Sequence, residues 1–225
     1  MVAEMAFLAD AGYVVASMYY RSSAEAHMPS QIIDVKTAIR FLRAHADQYE
    51  IDPERIGIIG RSAGGHLSAL AAMNSDEFES DEWCEFSSKV QACCDMFGPV
   101  DFVKLIEDDE QEMRTNPDFR WKTLEETHAG AVMGGDMATI KERCKQFCPP
   151  YILTTDMSPM MILHGDCDKL VSCSISEDFY DKIVERGMDD RTEFYILNGA
   201  GHGTKEFFQP ETKKLIEKFF DKYLK

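Results

Sequence analysis

The sequence has no apolar run near the 18 or so residues that a membrane-spanning helix needs. Its N-terminus has no basic region ahead of an apolar stretch, and Glu4 and Asp10 interrupt the first hydrophobic segment. Neither a secretory leader nor a membrane anchor is therefore expected in these residues, and the expected compartment is the cytoplasm unless a leader lies upstream. Positive charge is scarce: 24 Lys and Arg stand against 40 Asp and Glu, a net charge of −16. Such a surface repels phosphate backbones and anionic lipid, so neither nucleic acid nor a membrane is an expected partner. The chain also lacks internal repeats, low-complexity tracts and any linker-like segment.

Several site types are missing their essential parts. The seven cysteines are odd in number and irregular in spacing, so they imply no disulfide framework. Cys144 and Cys148 are spaced to share a helix face, but no further ligand stands near them and no metal is expected. Cys167 is flanked by Asp166 and Asp168, which disfavour its thiolate and argue against a nucleophilic role. Gly130 to Gly135 reads as a loop that follows no strand and carries no P-loop lysine, so no nucleotide and no cofactor is expected.

What is present is an alternation of strand and helix signals over 225 residues, enough for one α/β domain with a sizeable core. The pattern predicts a mainly parallel sheet with helices on both faces. Residues 1–10 read as a helix stopped by Gly12, and Tyr13 to Tyr19 as a strand. Ser30 caps a helix reaching about Gln48, with Ile32, Val35, Ile39 and Leu42 on one face. Val90 to Met96 is dense in small and apolar residues, as a buried parallel strand would be. Further strands fall near Met160 and at Thr192 to Leu197, and further helices at Ser174 to Arg186 and about Pro210 to Tyr223. Between two core strands lies a long polar, Met-rich stretch, about 98–159, expected to form a cap or side wall beyond the strand ends. Phe97, Phe119, Trp121 and Met133 either line a substrate pocket there or pack the insertion's own small core.

The most informative segment is Gly60-Arg61-Ser62-Ala63-Gly64-Gly65, which follows the apolar run Ile56 to Ile59 and opens a stretch of small and apolar residues. A serine at the apex of a strand–turn–helix is exposed above the sheet, and the glycines remove Cβ atoms that a tight bend cannot hold. Serine needs a base to act as a nucleophile. His202 lies among glycines in Gly199 to Gly203, just after a strand, and Asp166 and Asp168 follow the strand ending at His164-Gly165. Together these residue types supply a nucleophile, a general base and a carboxylate to fix the base's tautomer. Spacing alone leaves the choice between Asp166 and Asp168 open.

With these residues in order Ser…Asp…His, the chain resembles the α/β-hydrolase esterases. It is most similar to the branch containing acetyl xylan esterases, the bifunctional feruloyl and acetyl xylan esterase (BD-FAE) group and hormone-sensitive-lipase-like enzymes. The matching segments are Gly12 to Val15 leading to Tyr19-Tyr20-Arg21, Asp34 to Lys36 with Leu42-Arg43, Ile51 to Gly57, Gly60 to Leu67, His164 to Val171, and Gly199 to Gly203 with Phe207 and Phe208. The resemblance implies an α/β-hydrolase fold with Ser62 as nucleophile, His202 as base and Asp168, of the pattern His-Gly-x-x-Asp-x-x-Val, as acid. Asp166 then holds the turn. The implied substrates are small acyl esters, acetyl or feruloyl groups on carbohydrate such as xylan fragments.

One family feature is missing. Members carry a His-Gly-Gly-Gly segment upstream whose backbone N–H groups form much of the oxyanion hole, and this chain has none. The chain is therefore expected to be N-terminally truncated, to keep only the Ala63 N–H as an oxyanion donor, and to be weakly active. The family's third strand, between its fourth and fifth, is missing with it. The stretch Tyr13 to Met18 must then pair directly with Ile56 to Ile59 or remain unpaired. Two alternatives accompany the esterase reading: a prolyl-oligopeptidase-like peptidase, and a non-catalytic remnant.

Overall fold

The computed structural model describes residues 2–225, and side chains from residue 4 onward. Among the described residues four strands form one sheet in the order β1-β2-β3-β4, every neighbouring pair parallel. They are β1 (Gly57–Arg61), β2 (Ala92–Met96), β3 (Met160–Gly165) and β4 (Thr192–Leu197). Strand order follows chain order, with Cys93 opposite Met160 and Met160 opposite Thr192 in the ladders.

Period-2 alternation sends side chains to both faces, and both faces are covered. Cys93, Met160 and Ile162 enter one core with α2 (Ser30–Ala44), α4 (Ala63–Ala71) and α9 (Cys173–Glu185). Ala92, Cys94, Met96, Met161 and Leu163 enter the other, with α1 (Val2–Asp10) and α10 (Pro210–Leu224). Every residue of β2 and β3 is buried, which is why these strands read as continuous apolar runs. The packing face of α10 is Ile216, Phe219, Phe220 and Leu224, at helical spacing. Each such side chain, once buried, is worth on the order of 1.5–3 kcal/mol.

Helix α1 ends as its glycine predicts. Gly12 has φ +92°, its N–H bonds the Ala9 carbonyl, and the Tyr13 N–H reaches back to Leu8. These two bonds are the Schellman arrangement, and they satisfy carbonyls the helix would otherwise leave open. Met1 of the expected helix lies outside the described residues.

The strand expected at Tyr13 to Tyr19 is not one. The stretch is without regular secondary structure and, among the described residues, no ladder joins it to β1 or to any other strand. Side chains hold it instead. Tyr13 and Val15 pack on the core under α10, Met18 and Tyr20 pack on the opposite core, and the Tyr13 hydroxyl donates to Asp221 at 2.7 Å. Val14 and Tyr19 are exposed, and among the described residues β1 has no strand on its outer edge.

Smaller expectations also shift. Ser30 is the first residue of α2 rather than its cap, and Pro29 precedes it with no side-chain cap. The helix stops at Ala44, and a single turn, α3 (Ala46–Tyr49), follows after His45. Gly130 lies inside a short helix, α6 (His128–Met133), where a Cβ would stand 1.7 Å from the Leu124 carbonyl oxygen and only glycine fits; Gly134 and Gly135 alone form a loop.

The stretch after Phe97 does not build a core of its own. Its helices α5 (Phe102–Thr115), α6 and α7 (Ile140–Cys144) contribute Ile106, Met133 and Ile140 to the core shared with α2, α4 and α9, and Phe147 and Leu153, on either side of the single turn α8 (Pro149–Ile152), join them. Asp101 caps α5 by accepting from the N–H groups of Val103 and Lys104. The buried His66 of α4 is bonded to the Phe147 carbonyl at 2.7 Å, pinning this wall to the helix that follows Ser62. No described helix is long and apolar enough to cross a membrane.

Candidate active site

Ser62 occupies the turn between β1 and α4 with φ +51° and ψ −122°, a backbone conformation that non-glycine residues rarely adopt. Two contacts make the bend this tight. A Cβ on Gly60 would lie 2.1 Å from the Gly64 carbonyl oxygen, and one on Gly65 would lie 2.3 Å from Asp95 Oδ1. Gly64, the second glycine of the Gly-x-Ser-x-Gly pattern, is different: the nearest atom to a Cβ there is Tyr20 Oη at 3.9 Å, so this glycine relieves no clash. The Ser62 N–H bonds the Met96 carbonyl at 2.9 Å, fastening the turn to the end of β2.

The residues singled out in the sequence converge from three strand ends, those of β1, β3 and β4. His202 Nε2 lies 2.8 Å from Ser62 Oγ, and His202 Nδ1 lies 2.7 Å from Asp168 Oδ2. An Nδ1–H donated to the carboxylate leaves Nε2 as the acceptor facing the serine hydroxyl. Asp168 Oδ1 accepts from the Leu170 and Val171 N–H groups, and His164 Nε2 stands 3.4 Å from Oδ2. The Asp168 side chain is fully buried, which by itself raises its pKa. Hydrogen bonding from His164, His202 and the two backbone groups overrides that effect and holds the carboxyl well below the usual carboxylate range. Asp168 is thus an anion across ordinary pH, the state that fixes the His202 tautomer.

Asp166 has a different use. Its Oδ1 accepts the Gly199 N–H at 2.6 Å, and the Cys167 N–H bonds the Ala200 carbonyl, so the turn after β3 is laced to the loop that carries His202. Gly165 allows that approach, since a Cβ there would meet the Ala200 oxygen at 2.2 Å. The buried His164, which the sequence offers only as part of a motif, bonds Ser176 Oγ and the Val171 carbonyl and steadies the turn from below.

Ala63 opens α4, so its N–H belongs to a first helical turn that has no intrahelical acceptors. It adjoins Ser62 at the positive end of the helix dipole. Ser62, Ala63 and His202 form part of the wall of a cavity of about 710 Å³. Of the aromatic and apolar residues expected to line it, Phe97 and Trp121 do so; Met133 is in the core, and Phe119 stacks on the edge of Trp121 away from the cavity lining. The Phe97 ring sits edge-on to His202, with centroids 4.8 Å apart, and is itself backed by Phe207. The α5 residues Leu105 and Asp109 and the α6 residue His128 also line the cavity; no motif signals them.

The BD-FAE family profile matches residues 1–183, a span that includes Ser62 and Asp168. The chain belongs to the BD-FAE family. His202 lies beyond the matched span and is joined to the site by its geometry. The probable carboxylic ester hydrolase LipM of Mycobacterium tuberculosis strain H37Rv is 31% identical over 181 residues, covering 80% of this chain and 39% of LipM. Two solved structures are also similar. A truncated form of a carbohydrate esterase from gut microbiota has TM-score 0.75 and 31% identity, over 92% of this chain and 72% of that one. A bifunctional GH43-CE protein of Bacteroides eggerthii has TM-score 0.81 and 30% identity, over 96% of this chain and 28% of that one. The fold of this BD-FAE member is the α/β-hydrolase fold, with its site at the carboxyl ends of the parallel strands. It spans less than half the length of the first curated relatives it matches.

Proposed function

We propose that this chain is a serine carboxylic-ester hydrolase acting on small acyl esters, with acetyl or feruloyl groups on carbohydrate as the substrate class. The observation that carries the reading is the contact series Ser62 Oγ–His202 Nε2 at 2.8 Å and His202 Nδ1–Asp168 Oδ2 at 2.7 Å, opening on a cavity large enough for a saccharide ester. The names of similar proteins, a carboxylic ester hydrolase and a carbohydrate esterase, support the reaction and the substrate class.

In this mechanism Ser62 Oγ attacks the acyl carbon while His202 Nε2 takes the hydroxyl proton. The imidazolium that forms is stabilised by ionised Asp168. The negative oxygen of the tetrahedral intermediate receives the Ala63 N–H at the start of α4. The C–O bond to the alcohol part breaks, His202 returns its proton to the departing oxygen, and an acyl-Ser62 ester remains. Water, deprotonated by His202, then attacks that ester and releases the carboxylic acid and free Ser62.

The test is hydrolysis of p-nitrophenyl acetate by the parent chain and by Ser62→Ala, together with labelling by a fluorophosphonate probe. Loss of turnover by about 10⁴-fold or more and loss of labelling are expected in the variant. Equal turnover in the folded variant, or a parent chain that neither turns over nor labels, refutes the proposal.

A further inference from the structure

Asp109 is 93% buried (7% exposed) and lines the cavity, and its Oδ2 has no hydrogen-bond partner among the described residues. Asp101 and Asp168 are committed to backbone N–H groups or to His202, and the half-satisfied Asp95 is not part of the cavity wall. A buried carboxylate oxygen without a donor costs stability. Burial pushes the Asp109 carboxyl up to about 6, with Asp108 adding to the shift and Arg120 opposing it. Ionised, it is a strong acceptor within the cavity wall.

Trp121 lines the same cavity and is held from two sides. The Arg120 guanidinium lies 3.8 Å from the ring centroid, and the His128 ring meets it edge-on with centroids 4.8 Å apart. Arg120 also bonds His128 Nε2 at 3.1 Å. The wall therefore offers buried acceptors without donors at Asp109 and at Gln31 Oε1, together with the held ring of Trp121. A plain aliphatic or aryl alcohol would leave Asp109 unpaired. A cationic group would pair with it but would meet the positive charge of Arg120 alongside. A saccharide offers a hydroxyl donor and an apolar C–H face in one rigid ring.

We infer that Asp109 is the specificity-determining acceptor for a hydroxyl on the alcohol part of the ester, with Trp121 packing against the C–H face of the same sugar ring. The inference rests on the esterase reading above and adds the residues that would choose the alcohol.

The experiment compares kcat/KM of the full chain on an acetylated xylo-oligosaccharide and on p-nitrophenyl acetate, whose alcohol part has no hydroxyl to donate. The variants are Asp109→Ala, Asp109→Asn and Trp121→Ala. In Asp109→Ala the ratio of the sugar ester to p-nitrophenyl acetate is expected to fall roughly tenfold or more, chiefly through KM. Asp109→Asn, which retains a carbonyl acceptor, falls less. Trp121→Ala lowers the same ratio. Because the parent carboxylate is unpaired in the unliganded chain, neither Asp109 variant is expected to melt below the parent, whereas a purely structural Asp109 would make both melt lower. An unchanged ratio in both Asp109 variants, or equal losses on the two esters, overturns the inference while leaving the esterase reading intact. A parent chain that hydrolyses neither ester overturns both.

Discussion

On one side of Ser62 the turn after β3 and the loop after β4 are joined by Asp166 to the Gly199 N–H, by Cys167 N–H to Ala200 and by His202 to Asp168. On the other side, residues 14–20 lie along the molecule with no described backbone bond to β1, held by side chains such as Met18 and Tyr20. Both sides border the same cavity. The difference separates two requirements. The acid–base side must hold atoms within a few tenths of an ångström, and backbone lacing between strands does that. The side of Tyr20 and Arg21 only has to bound the cavity, and side-chain anchoring is enough: apolar packing at Tyr20 and the ion pair of Arg21 with Asp34.

The strongest way to break this comparison is to cut the laced side. Asp168→Asn replaces the anion that fixes the His202 tautomer and is expected to lower kcat on p-nitrophenyl acetate by about 10⁴-fold with little change in KM. A loss under tenfold would mean that the lacing, rather than the carboxylate, sets the base. Asp95, buried in β2 between the two sides, gives the next largest effect. Burial pushes its carboxyl up to about 7, opposed by His164 and by the Gly98 N–H. Its folded pKa thus lies above the unfolded value, so folding is favoured below the unfolded pKa, and that advantage is lost as pH rises toward 7. Asp95→Asn should therefore gain up to about 4 kcal/mol over the parent at pH 8, with the gain fading toward pH 4. Urea denaturation at a series of pH values reads this directly, and a pH-independent difference would contradict it.

The glycine pair around Ser62 tests the comparison within one turn. Gly60→Ala must displace the Gly64 carbonyl and is expected to lose about 2 kcal/mol or more together with most activity. Gly64→Ala sits in a helix with open space and should be neutral or stabilising by up to about 1 kcal/mol. Thermal melts of the two variants give the order. The smallest effect is on amide exchange. The N–H groups of residues 14–20 should exchange far faster than those of β3 and β4, and equal protection would show that the unpaired stretch is as firmly held as the sheet.

Much of this architecture is legible in the sequence. β2 and β3 can be read because burial on both faces leaves no polar residue to break the run, apart from Asp95 and His164. Ser62 and His202 can be read because each stands at a strand end among the small residues a tight turn demands, whereas Asp168 is told from Asp166 only by the family resemblance. Tyr13 to Tyr19 misleads for a physical reason: its residues suit a strand, but a strand exists only when a neighbour accepts its backbone bonds, and none does here. Gly130 looks like loop because the close approach of Leu124 that requires a glycine is a tertiary fact. Asp109, and equally the buried Lys36 and Arg43 of α2, look like solvated charge, because helical periodicity cannot show what a loop or wall lays over a polar face.

The wall over the cavity has one more consequence. Its α5 residues Phe102 and Leu105 belong to the core beneath the sheet's helices, and His66 ties it to α4. A cover rooted this way has no separate body to swing aside, so access to Ser62 is governed by the size of a standing mouth. Turnover should then rise smoothly with the concentration of dissolved ester, with no lag and no jump when the substrate forms droplets or micelles.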